Sequence, residues 1–367
     1  MGVFDSAWLV AAVLAATPLL LAAMGELVSE RTGVLNVGLE GMMIVGAFFG
    51  FVGAEETGSW LAGAALGTVA GALVGVLAGV LAVWARADQI VVGIAVNLLA
   101  LSLTAFLFNQ MYTTSAVRGA IERPERIAIP LLSELPVVGD ALFNQQLFVY
   151  AAVAWTVLVW LTLSRSGWGI SARAVGENPE AADSAGLRVG SIRVAGAAIA
   201  GGSAGIAGAF LSVGQVGVFS QGMSAGRGFL ALAAVIFGSW RPLGVLGACL
   251  VFGAADAVQF RLQARGDVPQ EVWLVLALAA LVLLVHLLRV PVRGDRTARW
   301  WASRLAVASV AVVGLVGAVA GFDVAMPAQL WLALPYVLTL VVLGGFVGSA
   351  RVPSALGSPY VRGRSDI

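Results

Sequence analysis

Residues 60–84 read "WLAGAALGTVAGALVGVLAGVLAVW", an apolar run without a single charge. About 20 such residues carry an α-helix across the hydrocarbon core of a bilayer, and the alternating pattern of a membrane β-barrel is absent. Within the run, Gly63, Gly67, Gly71, Gly75 and Gly79 recur at every fourth position. Glycine at that spacing lets a second backbone approach closely, the small-xxx-small packing of membrane helices. A four-residue step overshoots the 3.6-residue turn by about 40°, so the groove winds and serves more than one neighbour. Gly201, Gly205 and Gly208 repeat the theme further along. This stretch decides the fold class: an all-α, polytopic membrane bundle held by close helix packing.

The rest of the chain agrees. Of 367 residues, 60% are hydrophobic and 11% charged, against the roughly 25% charged of a soluble domain. Spanning segments are expected at about 7–24, 34–53, 60–84, 88–108, 146–164 and 193–213, then at about 227–240, 242–260, 272–290, 305–321 and 330–347. The count predicts about 9 to 12 transmembrane helices in one transmembrane domain over 1–367. The segment 227–240 is short for a span, and the polar stretch 25–40 reads as a broken or re-entrant element. The first run follows "MGVFDS", which lacks basic residues, and is read as a retained span rather than a cleaved leader.

Arginine placement sets the sidedness. The loop 165–193 holds Arg165, Arg173, Arg188 and Arg193, and the loop 289–304 holds Arg289, Arg293, Arg296, Arg299 and Arg304. Both are expected on the cytoplasmic side of the membrane. Alternation from there also places Arg31, Arg86, Arg241 and the tail arginines Arg351, Arg362 and Arg364 inside, with 109–145 outside.

Several function classes are excluded. There is no lysine, hence no phosphate-binding G-x-x-x-x-G-K-[ST] loop, and the chain does not hydrolyse ATP by itself. Its formal net charge of +1 gives no sign of a nucleic-acid partner. Cys249, the single cysteine, lies in an apolar run and reads as buried filler; His286, the single histidine, reads as a packed or interfacial imidazole. No nucleophile–base pair, metal-ligand spacing or other catalytic constellation is present, so no metal and no cofactor are expected on this chain. Polar groups within spans remain, and Asn36, Glu40 and Asn97 are candidates for a solute path or for interhelical hydrogen bonds. Amides near Phe48, Phe49 and Phe106 suit an uncharged polar solute with a stackable ring.

One polar segment has a distinct design. In "GENPEAADSAG", residues 176–186, Asn178 is a good N-cap, Pro179 suits the first helical position and Glu180 complements the helix dipole. Gly186 suits the C′ position. The helix predicted over about 179–185 is some 10 Å long, too short to stand alone. It must dock on its own bundle or on a cytoplasmic partner, and Ala181, Ala182 and Ala185 give it a smooth face for doing so.

"GENPEAADSAGLRV" resembles the cytoplasmic coupling segment of ABC import permeases in the ribose, branched-chain amino acid and nucleoside group. "GELVSERTGVLNVGLEGMMIVGAFFGF" is similar to the start of the shorter of two paired nucleoside or simple-sugar permeases. "GRGFLALAAVIFGSWRPLGVLGACLVFGAADAVQFRLQ", "LPYVLTLVVLGG" and "VPSALGSPY" follow in the family's order. The resemblance covers roughly 20–263 and 327–360; residues 270–326, with two more apolar runs, look like an inserted helical hairpin. It implies a pore-forming subunit that pairs with a second homologous permease, a cytoplasmic ATPase carrying ATP and Mg, and an external substrate-binding lipoprotein. Glu177, Asn178, Pro179, Glu180, Ala181, Ala182 and Gly186 would form the ATPase contact. The expected solute is a nucleoside or related sugar, with ribose or branched-chain amino acids as the alternative. An ion-gradient-driven transporter is the reading of a different class, with Glu40 and Asp256 as its mid-span carboxylates.

Overall fold

A computed structural model describes residues 5–112, 121–136, 138–265, 270–289, 298–320, 331 and 352–360. The chain opens with α1 (Ser6–Arg31), whose first turn is closed by the Asp5 carboxylate accepting from the Trp8 N–H at 2.9 Å. A non-helical turn over 32–38 leads into α2 (Leu39–Thr57), which Gly58 ends in the left-handed region at φ 68°. Next come α3 (Trp60–Val83) and α4 (Gln89–Tyr112). Asp88 starts α4 by accepting from the N–H groups of Ile90 and Val91, a conventional aspartate cap.

The connection to the next long helix is not purely irregular. It carries β1 (Arg126–Ala128), α5 (Gly139–Phe143) and β2 (Asn144–Gln146), the two strands pairing antiparallel with Arg126 opposite Gln146. Then follow α6 (Leu147–Arg165), α7 (Gly167–Glu177), α8 (Pro179–Ser184) and α9 (Val189–Ala209), which runs into a π-helical turn at Phe210–Val216. After an irregular stretch come α10 (Arg227–Phe237), α11 (Pro242–Arg265), α12 (Gln270–Arg289) and α13 (Ala298–Ala320).

Among the described residues six helices are long and apolar enough to cross a membrane: α1, α3, α4, α6, α9 with its π turn, and α11. The chain is a multi-pass helical membrane protein; the run expected at 330–347 lies outside the described residues, apart from Trp331 in a helical position. α10 has 11 residues, and at 1.5 Å each it covers about 16 Å, half of a ~30 Å hydrocarbon core.

Residues 13–253 with 349–367 form one compact unit, and residues 1–12 with 254–348 form another. In the first, α2 is the axis: 13 of its 19 residues are buried, and α3, α4, α9 and α10 surround it. The fit is set by glycine. A β-carbon on Gly63 would meet the Gly50 carbonyl, and one on Gly67 the Gly46 carbonyl, both on α2. On Gly71 and Gly75 it would meet the Gly201 and Ala197 carbonyls of α9, and on Gly79 the Ala197 and Val194 side of that helix. The groove of α3 therefore passes from α2 to α9 along its length. α9 closes the triangle, where Gly208 sits against the Met43 backbone.

In the second unit, α12 and α13 pack antiparallel. Gly314 of α13 lies on the backbone of Ala277 and Trp273, and Gly317 lies on the Trp273 ring, so the start of one helix faces the end of the other. Asp5 and Arg261 form an ion pair in this unit at 2.7 Å.

Candidate functional site

The loop expected over 165–193 is mostly helical. Ser166 accepts from the Gly169 N–H and starts α7; Gly169 lies against the Thr162 carbonyl, which folds α7 back beside the end of α6. Asn178 then separates α7 from α8. Its Oδ1 accepts from the Ala181 N–H at 3.0 Å, Pro179 occupies the first position, and Gly186 takes φ 86°. α8 ends at Ser184, one residue before the expected boundary.

Burial divides this segment in two. Ala182 is buried with Val175 and Val189, so it packs on its own bundle, one of the two docking surfaces the sequence left open, and not on the ATPase contact that the resemblance implied for it. Glu177, Asn178, Glu180, Ala181, Ser184, Ala185 and Gly186 are exposed. The outward edge of α8 is therefore short, capped and acidic, and its inward edge is a single alanine.

A second segment holds the first in place. Residues 352–360 cross the ends of α1 and α7, where the Ala355 N–H donates to the Gly176 carbonyl and the Gly357 N–H to the Gly33 carbonyl. The Ser354 hydroxyl donates to Glu177 at 3.2 Å. Arg193, fully buried on α9, donates through Nη1 to the Ser358 carbonyl at 2.8 Å, and Tyr360 packs on the Val175–Ala182–Val189 cluster. Gly33 needs its φ of 90°, and Gly176 is required because a β-carbon there would enter the Arg31 carbonyl.

The three polar candidates of the spans form a lattice around the entry to α2. Asn97 of α4 accepts from the Gly41 N–H at 2.7 Å and donates to the Val37 carbonyl at 3.0 Å. Glu40 accepts from the N–H groups of Gly226 and Gly228 at 2.8 and 2.7 Å, supplying the cap that α10 lacks locally. Asn36 is buried, its N–H donating to Glu26 and its side chain to the Met42 sulfur. Asn97 holds residues 37–41 from α4, Asn36 turns to Glu26 and Met42, and Glu40 points to α10.

The family model described as the permease component of the branched-chain amino acid transport system matches residues 8–285. The chain belongs to this permease family. The permease is 32% identical to the guanosine ABC transporter permease protein NupQ of Bacillus subtilis, over 95% of its own length and 94% of that protein's. It is 33% identical to the nucleoside ABC transporter permease protein NupC of Lactococcus lactis, over 95% and 94%. It is 40% identical to the putative glucose ABC transporter permease protein TsgC13 of Haloferax volcanii, over 71% and 79%. No solved structure matches it. The permease is a transport subunit rather than an enzyme.

Its packing also brings together groups that the sequence reading passed over. Glu26 and Glu30, one turn apart on α1, are both fully buried. Glu26 receives the Asn36 N–H, and Glu30 receives the Trp240 indole N–H. Trp240 in turn offers its carbonyl to Arg31 at 2.6 Å, tying the end of α1 to the start of α11. Signals for α7 and for this lattice were present as a Ser-x-x-Gly start and as an i, i+4 carboxylate pair. The first fell in the loop 165–193 and the second in the stretch 25–40, read as a broken or re-entrant element. At the opposite end of the bundle, Phe48, Phe51, Phe108, Tyr112 and Phe219 form a chain of ring contacts, and Tyr112 donates to Glu55. Phe49 joins this group through Phe48, whereas Phe106 faces outward at 63% exposure.

Proposed function

We propose that the permease is the pore-forming subunit of an ATP-driven nucleoside importer, paired with a second homologous permease and served by an external substrate-binding lipoprotein. The observation that carries the solute class is the near full-length similarity to two permeases named for guanosine and nucleosides. A sugar is the second reading, supported by the relative named for glucose.

In this reading α7, α8 and residues 352–360 face the cytoplasm, and the exposed edge of α8 enters a cleft of the partner ATPase, which holds ATP and Mg. Asn178, Pro179 and Gly186 fix the short helix, Glu177 and Glu180 meet basic groups at the rim, and Ala182 anchors the helix to the bundle. Because α8 is packed on α9 and clamped by 352–360, a push on it moves the ends of α1, α7 and α9 together. The bundle then switches between outward-open and inward-open states. Asn36, Glu40 and Asn97 act by setting where α2 and α10 begin along the path, and residues 270–326 are an inserted hairpin that adds to the common plan.

Pro179→Gly combined with Glu180→Arg is expected to abolish transport and co-purification of the ATPase while the permease remains folded. Normal co-purification would overturn the coupling assignment.

A further inference from the structure

A cavity of about 620 Å³ opens beside the ends of α6, α7 and α10. Three guanidinium groups line it: Arg31, Arg173 and Arg241. They come from three separate parts of the chain, and Arg173 and Arg241 stand close enough to act electrostatically on Arg31. Their hydrogen bonds to protein are few. Arg31 donates to the Trp240 carbonyl through Nε and Nη2, and Arg173 reaches the Gly169 carbonyl at 3.4 Å. Among the described residues no carboxylate forms an ion pair with any of the three; two acids act electrostatically on Arg31, Glu177 more strongly than either arginine and Glu30 more weakly, and Glu177 is bound by Ser354 while Glu30 holds the Trp240 indole.

Three cations held together repel one another, and an assembly of this kind gains most from a multivalent anion that can accept several N–H donors at once. The remaining wall narrows the choice. Trp160 is 41% exposed and Leu243 is 70% exposed on helices whose outer faces are apolar, so the cavity opens sideways at the level where spanning helices end. Interfacial tryptophan beside arginine, at the end of a membrane helix, is where phospholipid headgroups lie.

We infer that this cavity is a binding site for the phosphate of an anionic phospholipid, with Arg31, Arg173 and Arg241 as its ligands and Trp160 and Leu243 against the acyl chains. It is independent of the solute assignment. A lipid seated there would bridge α7, which leads into the coupling helix, to the turn that joins α10 and α11.

The test is lipid retention by the full-length permease, measured by native mass spectrometry after detergent extraction, with phosphatidylglycerol, phosphatidylcholine and inorganic phosphate added separately. The expected result is selective retention of phosphatidylglycerol. Arg173→Gln with Arg241→Gln should weaken it by tenfold or more, and the corresponding lysine pair should weaken it less. Both side chains are exposed, so the fold is expected to survive, and an unchanged unfolding temperature in lipid-free detergent checks this. Equal retention of phosphatidylcholine, or unaltered phosphatidylglycerol binding by the glutamine pair, would overturn the site. Competition by inorganic phosphate with no retained lipid would assign the cavity to a free anion and overturn the lipid source. Loss of the ATPase with lipid binding intact would make the arginines a protein contact and overturn the proposal.

Discussion

At the scale of single residues, the polar side chains of the spans act mainly on backbone. Both Glu40 oxygens accept from α10, and both ends of the Asn97 amide are bonded to the chain entering α2. Glu40→Gln replaces one acceptor by a donor facing an N–H, and Asn97→Ala leaves a donor and an acceptor without partners. Each is expected to cost about 1–3 kcal/mol, seen as a lowered unfolding temperature of the purified permease. A wild-type midpoint for both variants would show that these bonds do not support the bundle. Glu26 and Glu30 escaped the sequence reading because the first apolar run was closed at residue 24. The helix continues to Arg31, because Asn36 and Trp240, from distant parts of the chain, supply the donors that allow those carboxyls to be buried. A pattern read along one helix has no access to such partners.

At the scale of elements, the glycine spacing of α3 made close packing legible, and the angle by which it drifts made two neighbours legible. Which helices those are depended on assembly: α2 at one end and α9 at the other. Gly71→Leu would drive a side chain into the Gly201 carbonyl and the Gly205 backbone, whereas Gly247 on α11 has open space around its α-carbon. Overpacking against side chains costs about 1–3 kcal/mol, and against backbone more. Gly71→Leu is therefore expected to lose the monodisperse protein on size exclusion, while Gly247→Leu elutes as wild type; equal behaviour of the two would refute the packing assignment. The cap of α8 was equally legible, because Asn-Pro-Glu is local chemistry. α7 was missed, since its polar and glycine-rich sequence, GWGISARAVGE, has no apolar run to mark it. What stabilises it is the fit of Gly169 on α6 and of Gly176 on the α1 end, with residues 352–360 laid across the latter.

At the scale of the whole molecule, the proposed importer role makes the energy source the decisive measurement. Purified permease alone in liposomes is expected to move no nucleoside under a proton or sodium gradient, and to do so only when the second permease, the ATPase with ATP, and the binding protein are supplied. Uptake driven by an ion gradient through the permease alone would refute the importer reading. The sequence by itself determined the helical membrane class, the clustering of arginines and the capped segment at 176–186. Apolar length, charge placement and cap chemistry are local properties, and they survive any arrangement of the helices. Only the tertiary structure decided that Ala182 faces inward, that 352–360 lies across the ends of α1 and α7, that Glu40 caps α10, and that Arg31, Arg173 and Arg241 share one cavity. Each of these depends on how separate helices pack, and all but the first join residues far apart in the chain.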